Sequence, residues 1–123
     1  MGIEETASAR IWRDEDGIVH YVSRGVASTA QSVDENMQHV RNISDGRRVP
    51  ILFDARDWPR GDPSSWARFI SIVESVCLAA AVLVNPTSEK ALGRFPDLID
   101  DLVVPFRVFK DEDEALAFLR GHR

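Results

Sequence analysis

Apolar and polar residues alternate in two short segments near the start of the chain. Residues 9–13 and 18–24 both have this strand-like pattern, and Asp14-Glu15-Asp16-Gly17 lies between them. Asp-Gly between two alternating segments is typical of a hairpin turn, because glycine readily takes a positive φ. The pattern therefore predicts an antiparallel hairpin, and we expect residues 1–8 ahead of it to form a loose tail.

The apolar positions then change to helical spacing. Val33, Met37 and Val40 lie at i, i+4 and i+7, which predicts a helix with one narrow buried stripe. We expect Ser28 and Gln31 to form its capping box, in which Ser28 accepts from the backbone and Gln31 reaches back. Asp45-Gly46 is expected to end this helix.

A strand-helix-strand unit follows. The apolar run 49–53 and the run 80–85 predict two buried strands, and the helix between them has the clearest amphipathic pattern in the chain. Asp62 as N-cap and Pro63 at the first helical position indicate where that helix starts. The residues predicted on its buried face are Trp66, Phe69, Ile70, Val73, Val76 and Cys77.

The last third of the chain predicts further short elements. Thr87 or Ser88 is expected to cap a short helix, and Pro96 interrupts it, so residues 97–102 form a separate turn or helix. Residues 105–109 predict the last strand, and the acidic run 111–114 opens a terminal helix that buries Ala115, Phe118 and Leu119. Together these elements predict one α/β domain over residues 1–123. Its sheet is mixed and mostly parallel, with an N-terminal antiparallel hairpin and helices packed on it.

Charge and composition exclude several classes of protein. The formal net charge is -5, which argues against nucleic-acid binding, because that function needs a dense basic surface. The single cysteine, Cys77, lies in a predicted apolar helix and is expected to be a buried, inert thiol. The N-terminus lacks the apolar core of a signal peptide, and no apolar run approaches membrane-spanning length. We therefore expect a cytoplasmic protein that binds neither nucleic acid nor membrane.

Polar side chains gather after the strand at 49–53. Asp54, Arg56, Asp57 and Asp62 surround the end of this strand, and ligands of open α/β sheets bind at such ends. The carboxylates are suited to cation binding or acid-base chemistry, and Arg56 to holding an anion. The alternative is structural: Asp54 and Arg56 pair locally, and Asp62 only caps the next helix.

Two further groups have both a functional and a structural interpretation. Ser64 and Ser65 lie in the first turn of a helix, where the positive end of the dipole stabilises a phosphate, but small hydroxyls also serve there as caps. Trp58 and Trp66 are either contact residues of an interface or part of the core.

No catalytic or cofactor motif is present in the sequence. The histidines His20, His39 and His122 are scattered, no metal-ligand spacing occurs, and the glycines are isolated. The sequence therefore predicts no enzyme, no cofactor and no metal site.

The chain resembles the anti-sigma-factor-antagonist (STAS) family, and within it a subgroup of small stand-alone bacterial domains of unknown role. The resemblance covers residues 12–119. It rests on Pro50-Ile51-Leu52-Phe53-Asp54-Ala55-Arg56, on the helix 64–77, on residues 80–88, and on residues 105–109 with 113–119. It implies a small binding module. Proteins of similar sheet topology bind lipids in an apolar cleft, and this chain is expected to be too short to build one.

In regulatory members of the family, a partner kinase phosphorylates a serine at the start of the helix after the third strand, which switches binding off. The resemblance makes Ser64 the matching residue, with Ser65 next to it. Pro63 and Trp66 depart from the family pattern, in which the serine follows an Asp directly and a small residue comes after it.

Three hypotheses follow. The first is a non-enzymatic module that meets a protein partner through Asp54, Arg56, Asp57, Trp58 and Arg60. The second is a small-molecule or anion binder that uses the polar cluster at the end of the 49–53 strand. The third is self-association as a homodimer, through the hairpin edge or the tryptophans.

Overall fold

Six strands form one sheet, in which each strand pairs with its neighbours in the chain. The computed structural model describes residues 3–58, 63–93, 97, 100 and 102–123. The strands are β1 (Glu4–Glu5), β2 (Ala9–Arg13), β3 (Val19–Ser23), β4 (Val49–Asp54), β5 (Cys77–Leu83) and β6 (Phe106–Phe109). The helices with defined bounds in this part of the chain are α1 (Ala30–Ile43), α2 (Pro63–Val76), α3 (Pro86–Leu92) and α4 (Glu112–Arg120).

Of these six strands, β2 runs opposite to the others. It pairs antiparallel with β1 and with β3, whereas β3, β4, β5 and β6 are parallel to one another. The predicted fold class, a mixed and mostly parallel sheet with an N-terminal antiparallel hairpin, is confirmed. The hairpin turn is also confirmed, since Gly17 has φ 83°.

The central strands β4 and β5 are buried on both faces. On one face, Ile51, Phe53 and Val82 belong to a core shared with α1 and α2. On the other face, Leu52 and Leu83 pack with α4. Because helices cover both faces, these strands have continuous apolar sequences rather than an alternating pattern.

The segment before the hairpin differs from the prediction of a loose tail over residues 1–8. Glu4 and Glu5 pair with β2, and Thr6 and Ser8 are buried. The Thr6 hydroxyl accepts the backbone N–H of Ala9 at 3.1 Å, and hydrogen bonds of this kind hold a segment that lacks an apolar pattern. Within the described residues 3–8, the tail prediction is therefore wrong.

Two predicted helix caps are wrong by one to three residues. Thr29, not Ser28, caps α1, and its capping-box partner is Ser32. Asn85 caps α3 and forms its box with Ser88, whereas Thr87 or Ser88 was predicted as the cap. The Asn85 side chain accepts the backbone N–H of Ser88 at 2.9 Å. The cap is therefore the residue just before the helix, not a residue inside it.

The junction between α2 and β5 also differs from the prediction. Cys77 was predicted on the buried face of the helix, but it begins β5 and pairs with Val49. It is fully buried, as predicted. Pro63 begins α2 and the acidic run 111–114 opens the terminal helix α4, both as predicted, with Asp111 as the N-cap of α4. Asp62, Pro96 and half of the predicted element 97–102 (residues 98, 99 and 101) lie outside the described residues.

The cap of α3 gives a direct test of these assignments. We expect Asn85→Ala to lower the free energy of unfolding by about 1–2 kcal/mol, because it removes the cap. It also removes the hydrogen bond that Asn85 Nδ2 donates to the Arg56 carbonyl at 2.8 Å. Thr87→Ala, at an exposed position of the same helix, should change it by less than about 0.5 kcal/mol. Urea unfolding of both variants measures the difference, and a larger loss for Thr87→Ala would contradict the assignment.

Candidate ligand cavity

A cavity of about 100 Å³ lies between the sheet and the helices α1 and α2. Its apolar walls come from Val33, Phe53, Ala55, Trp58, Trp66, Phe69, Val82 and Leu92. Its polar lining comes from Ser8, Tyr21, Ser23, Ser28, Asp54 and Ser65. A space of this size does not test the expectation that the chain is too short to build a lipid-binding apolar cleft, which stays a prediction.

Strand register places the floor of the cavity. Tyr21, Phe53 and Val82 are partners across β3, β4 and β5, so their side chains share one face of the sheet. The ring centroids of Tyr21 and Phe53 are 5.2 Å apart. Phe69 of α2 meets Phe53 edge-on, with the centroids 5.0 Å apart. The floor and one wall are thus packed aromatic rings near the carboxyl ends of the parallel strands, where α/β sheets bind ligands.

Trp58 connects two loops beside the cavity. Its Nε1 donates to the Ser28 hydroxyl at 3.2 Å, and its ring lies 6.2 Å from that of Trp66. Both tryptophans are partly buried and pack against the main core. Of the two interpretations of these residues, the structure shows core packing.

A buried hydrogen-bond network closes the other end of the cavity. Asn36 of α1 is 2% exposed and contacts three hydroxyls. Thr6 Oγ1 donates to Asn36 Oδ1 at 2.6 Å, and Asn36 Nδ2 donates to Ser8 Oγ at 2.8 Å and to the Tyr21 hydroxyl at 2.7 Å. This network joins the N-terminal segment, α1 and β3 at one point.

Burial raises the pKa of the Tyr21 hydroxyl to about 12, although the hydrogen bond from Asn36 opposes the shift. The phenol is uncharged near neutral pH and keeps its proton as a hydrogen-bond donor.

The polar cluster predicted at the end of β4 forms a local ion pair. Arg56 donates from Nη2 to Asp54 Oδ2 at 2.7 Å and from Nε to Asp54 Oδ1 at 3.0 Å. Arg56 Nη2 also reaches Glu112 Oε1 at 3.2 Å. The hydrogen bonds to Asp54 raise the pKa of Arg56. Of the two interpretations of Asp54 and Arg56, local pairing is the one in the structure.

The other predicted site residues are spread out. Asp57 is exposed, and Arg60 lies outside the described residues. Ser64 is exposed in the first turn of α2, whereas Ser65 is 1% exposed and lines the cavity. Burial of Ser65 argues against phosphorylation there, and phosphorylation of Ser64 stays a prediction.

The histidines lie apart from the cavity lining. His20 contacts Asp14 Oδ2 at 2.8 Å and stacks on Trp12, and His39 contacts Glu4 Oε2 at 3.0 Å. Among the described residues, no group of three or more His, Cys, Asp and Glu side chains is placed to hold a metal ion. No helix in the same part of the chain is long and apolar enough to cross a membrane.

The polar end of the cavity, formed by Ser8, Tyr21 and Ser23 with Asn36 behind them, was not predicted from the sequence. Asn36 was the one with a signal, because it lies at i+3 from Val33 on the apolar stripe of α1. A polar residue in such a position needs buried partners. Tyr21 and Ser23 carried no signal beyond their place in a strand.

Comparison with known proteins shows the family. A family model of a domain of unknown function (DUF7793) matches residues 11–123. The chain belongs to this family. No curated protein matches it.

One solved structure shows the fold. It is an uncharacterised protein of the DUF3478 family from Shewanella loihica PV-4, with a SpoIIAA-like fold. It is 15% identical, with a TM-score of 0.61, and the alignment covers 96% of this chain and 99% of that one. This likeness confirms the fold expected from the resemblance to anti-sigma-factor antagonists.

A pair of substitutions on α1 tests the cavity. Val33 lines the cavity, whereas Val40 is fully buried and does not. We expect Val33→Phe to keep or raise the free energy of unfolding, because the larger ring enters open space. Val40→Phe should lower it by about 1–3 kcal/mol, because it overpacks the core. Equal losses in urea unfolding would contradict the cavity.

The single tyrosine allows its environment to be measured directly. We expect the tyrosinate absorbance of the folded protein to titrate near pH 12, and that of the urea-unfolded chain near the ordinary 10.0. Because the unfolded state loses its proton first, the free energy of unfolding should fall between these two pH values. Tyr21→Phe should remove that contribution. A midpoint near 10 for the folded protein would contradict burial of the hydroxyl.

Proposed function

We propose that this protein is a non-enzymatic binding module that takes up a small, mostly apolar molecule in the cavity between the sheet, α1 and α2. The observation that carries the proposal is the lining itself. Aromatic and aliphatic walls combine with a few hydroxyls at the carboxyl ends of parallel strands. This combination is typical of small-molecule sites, in which apolar walls give affinity and a few polar groups fix orientation.

Size and charge limit the ligand. A volume of about 100 Å³ suits a molecule of one ring or a short chain rather than a long lipid. Asp54 is the charged residue in the described lining, and it is paired with Arg56. A neutral ligand therefore fits better than the anion considered from the sequence.

Contact with a protein partner through Asp54, Arg56, Asp57, Trp58 and Arg60 stays a prediction, as do self-association and a cytoplasmic location. Packing of Trp58 on the core and its hydrogen bond to Ser28 favour a structural role for this side chain over that of an interface anchor. Arg56 is about half exposed, but two carboxylates already contact it.

Ligand binding can be tested with small aromatic and aliphatic compounds. Toluene, indole and cyclohexanone should raise the melting temperature and shift the methyl NMR signals of Val33 and Val82, because a ligand that binds only the folded state stabilises it. Val33→Phe should abolish the rise in melting temperature and the shift of the Val82 methyl signals, because the larger ring fills the space.

The matched control is Val103→Phe, which adds the same ring at a position that is 90% exposed. This variant should bind like the original protein. If none of the compounds changes the signals, or if Val33→Phe binds them equally well, the proposed function is wrong.

A further inference from the structure

The direction of each hydrogen bond at the polar end of the cavity can be assigned, starting from Thr6. Its hydroxyl oxygen accepts the backbone N–H groups of Ser8 at 3.3 Å and Ala9 at 3.1 Å. Its short contact with Asn36 must then use the hydroxyl hydrogen, so the atom of Asn36 that faces Thr6 is the amide oxygen. The orientation of the Asn36 amide is therefore fixed by its contact with Thr6.

The orientation of Asn36 determines the role of the next two hydroxyls. The amide nitrogen has two hydrogens, and it contacts Ser8 Oγ at 2.8 Å and the Tyr21 hydroxyl at 2.7 Å. Both hydroxyls therefore accept from Asn36. Their own hydrogens have no acceptor among the described residues, and both residues border the cavity.

Ser23 adds a third hydroxyl to the same lining. It is 9% exposed and lies on β3, two residues after Tyr21 and on the same face of the sheet. Its side chain makes no hydrogen bond with any residue that the structure describes, although it borders the cavity. A serine this deeply buried normally has a partner.

We propose that the hydroxyls of Ser8, Tyr21 and Ser23 bind a carbonyl oxygen of a small neutral ligand. The proposal rests on the proposed function and adds the chemistry of the ligand. A carbonyl oxygen accepts hydrogen bonds and donates none, which matches a lining that has spare donors. The aromatic rings of Phe53 and Phe69 would contact the apolar body of the molecule.

The charge of the surroundings favours a carbonyl over a carboxylate. No lysine, arginine or histidine belongs to the described lining, so a carboxylate would lose its hydration without gaining a counter-ion. Tyr21 is also protonated at neutral pH, and burial moves its pKa further from neutrality, to about 12.

Three probes of similar shape separate the possible outcomes. Acetophenone has a neutral carbonyl, ethylbenzene lacks an acceptor, and benzoate is charged. We expect acetophenone to bind the full chain about tenfold more tightly than ethylbenzene, as measured by NMR titration at neutral pH, because a satisfied buried hydrogen bond contributes about this factor. Benzoate should bind more weakly than acetophenone.

Ser23→Ala is the main test variant, because this side chain makes no hydrogen bond with any described residue and its loss leaves the Asn36 network intact. It should lower acetophenone affinity several-fold and leave ethylbenzene unchanged. Ser71→Ala, at an exposed position of α2, is the matched control and should change neither. Tyr21→Phe should also reduce the preference for acetophenone, with its melting curve as a check on folding.

If acetophenone and ethylbenzene bind equally well, or if Ser23→Ala keeps the full preference, the carbonyl site is wrong while the apolar cavity remains. If benzoate binds best, the ligand is an anion and the inference is also overturned. If none of the three binds, the proposed function itself fails.

Discussion

The buried amide of Asn36 is the contact on which the polar end of the cavity depends. A buried side-chain amide without partners costs several times what an average hydrogen bond contributes, so its neighbours must stay in place. Thr6 and Ser8 supply two of those partners from the N-terminal segment, and Tyr21 supplies the third from β3. The same three contacts that satisfy the amide therefore hold the edge strand β1 in position and orient two hydroxyls beside the cavity.

The ion pairs at the end of β4 act differently. Asp54, Arg56 and Glu112 form a short chain of charges in which Arg56 and Glu112 are each 47% exposed. Pairs of this kind contribute little to stability, on the order of 1 kcal/mol or less. Their effect on the cavity is electrostatic, because the positive charge of Arg56 balances the negative charge of Asp54, the one carboxylate in the described lining. The result is a neutral site beside a charged surface, whereas the polar cluster predicted from the sequence consisted of charged residues.

Much of the fold could be predicted from the sequence, because patterns of period 2 and 3.6 record which face of an element is buried. The hairpin at Gly17, the stripe of α1 and the buried run of β4 all follow from such patterns. Strand β1 has two residues and no apolar pattern, so its pairing with β2 and the side-chain contacts of Glu4 and Glu5 place it. The cavity could not be predicted, since it is space left between side chains of several elements, and no local pattern records how those elements approach one another.

The start of α2 shows why the fold does not determine the function. In the family that the chain resembles, this position would carry a phosphorylated serine, and a bulky residue after it departs from the pattern. Here Ser65 and Trp66 line the cavity, while Ser64 faces solvent. Trp66 packs on Trp58 and on the core, so the large side chain that breaks the switch pattern builds the wall of the cavity. A shared fold can host unrelated functions, and in this chain the side chains at the helix start favour a ligand cavity over a surface switch.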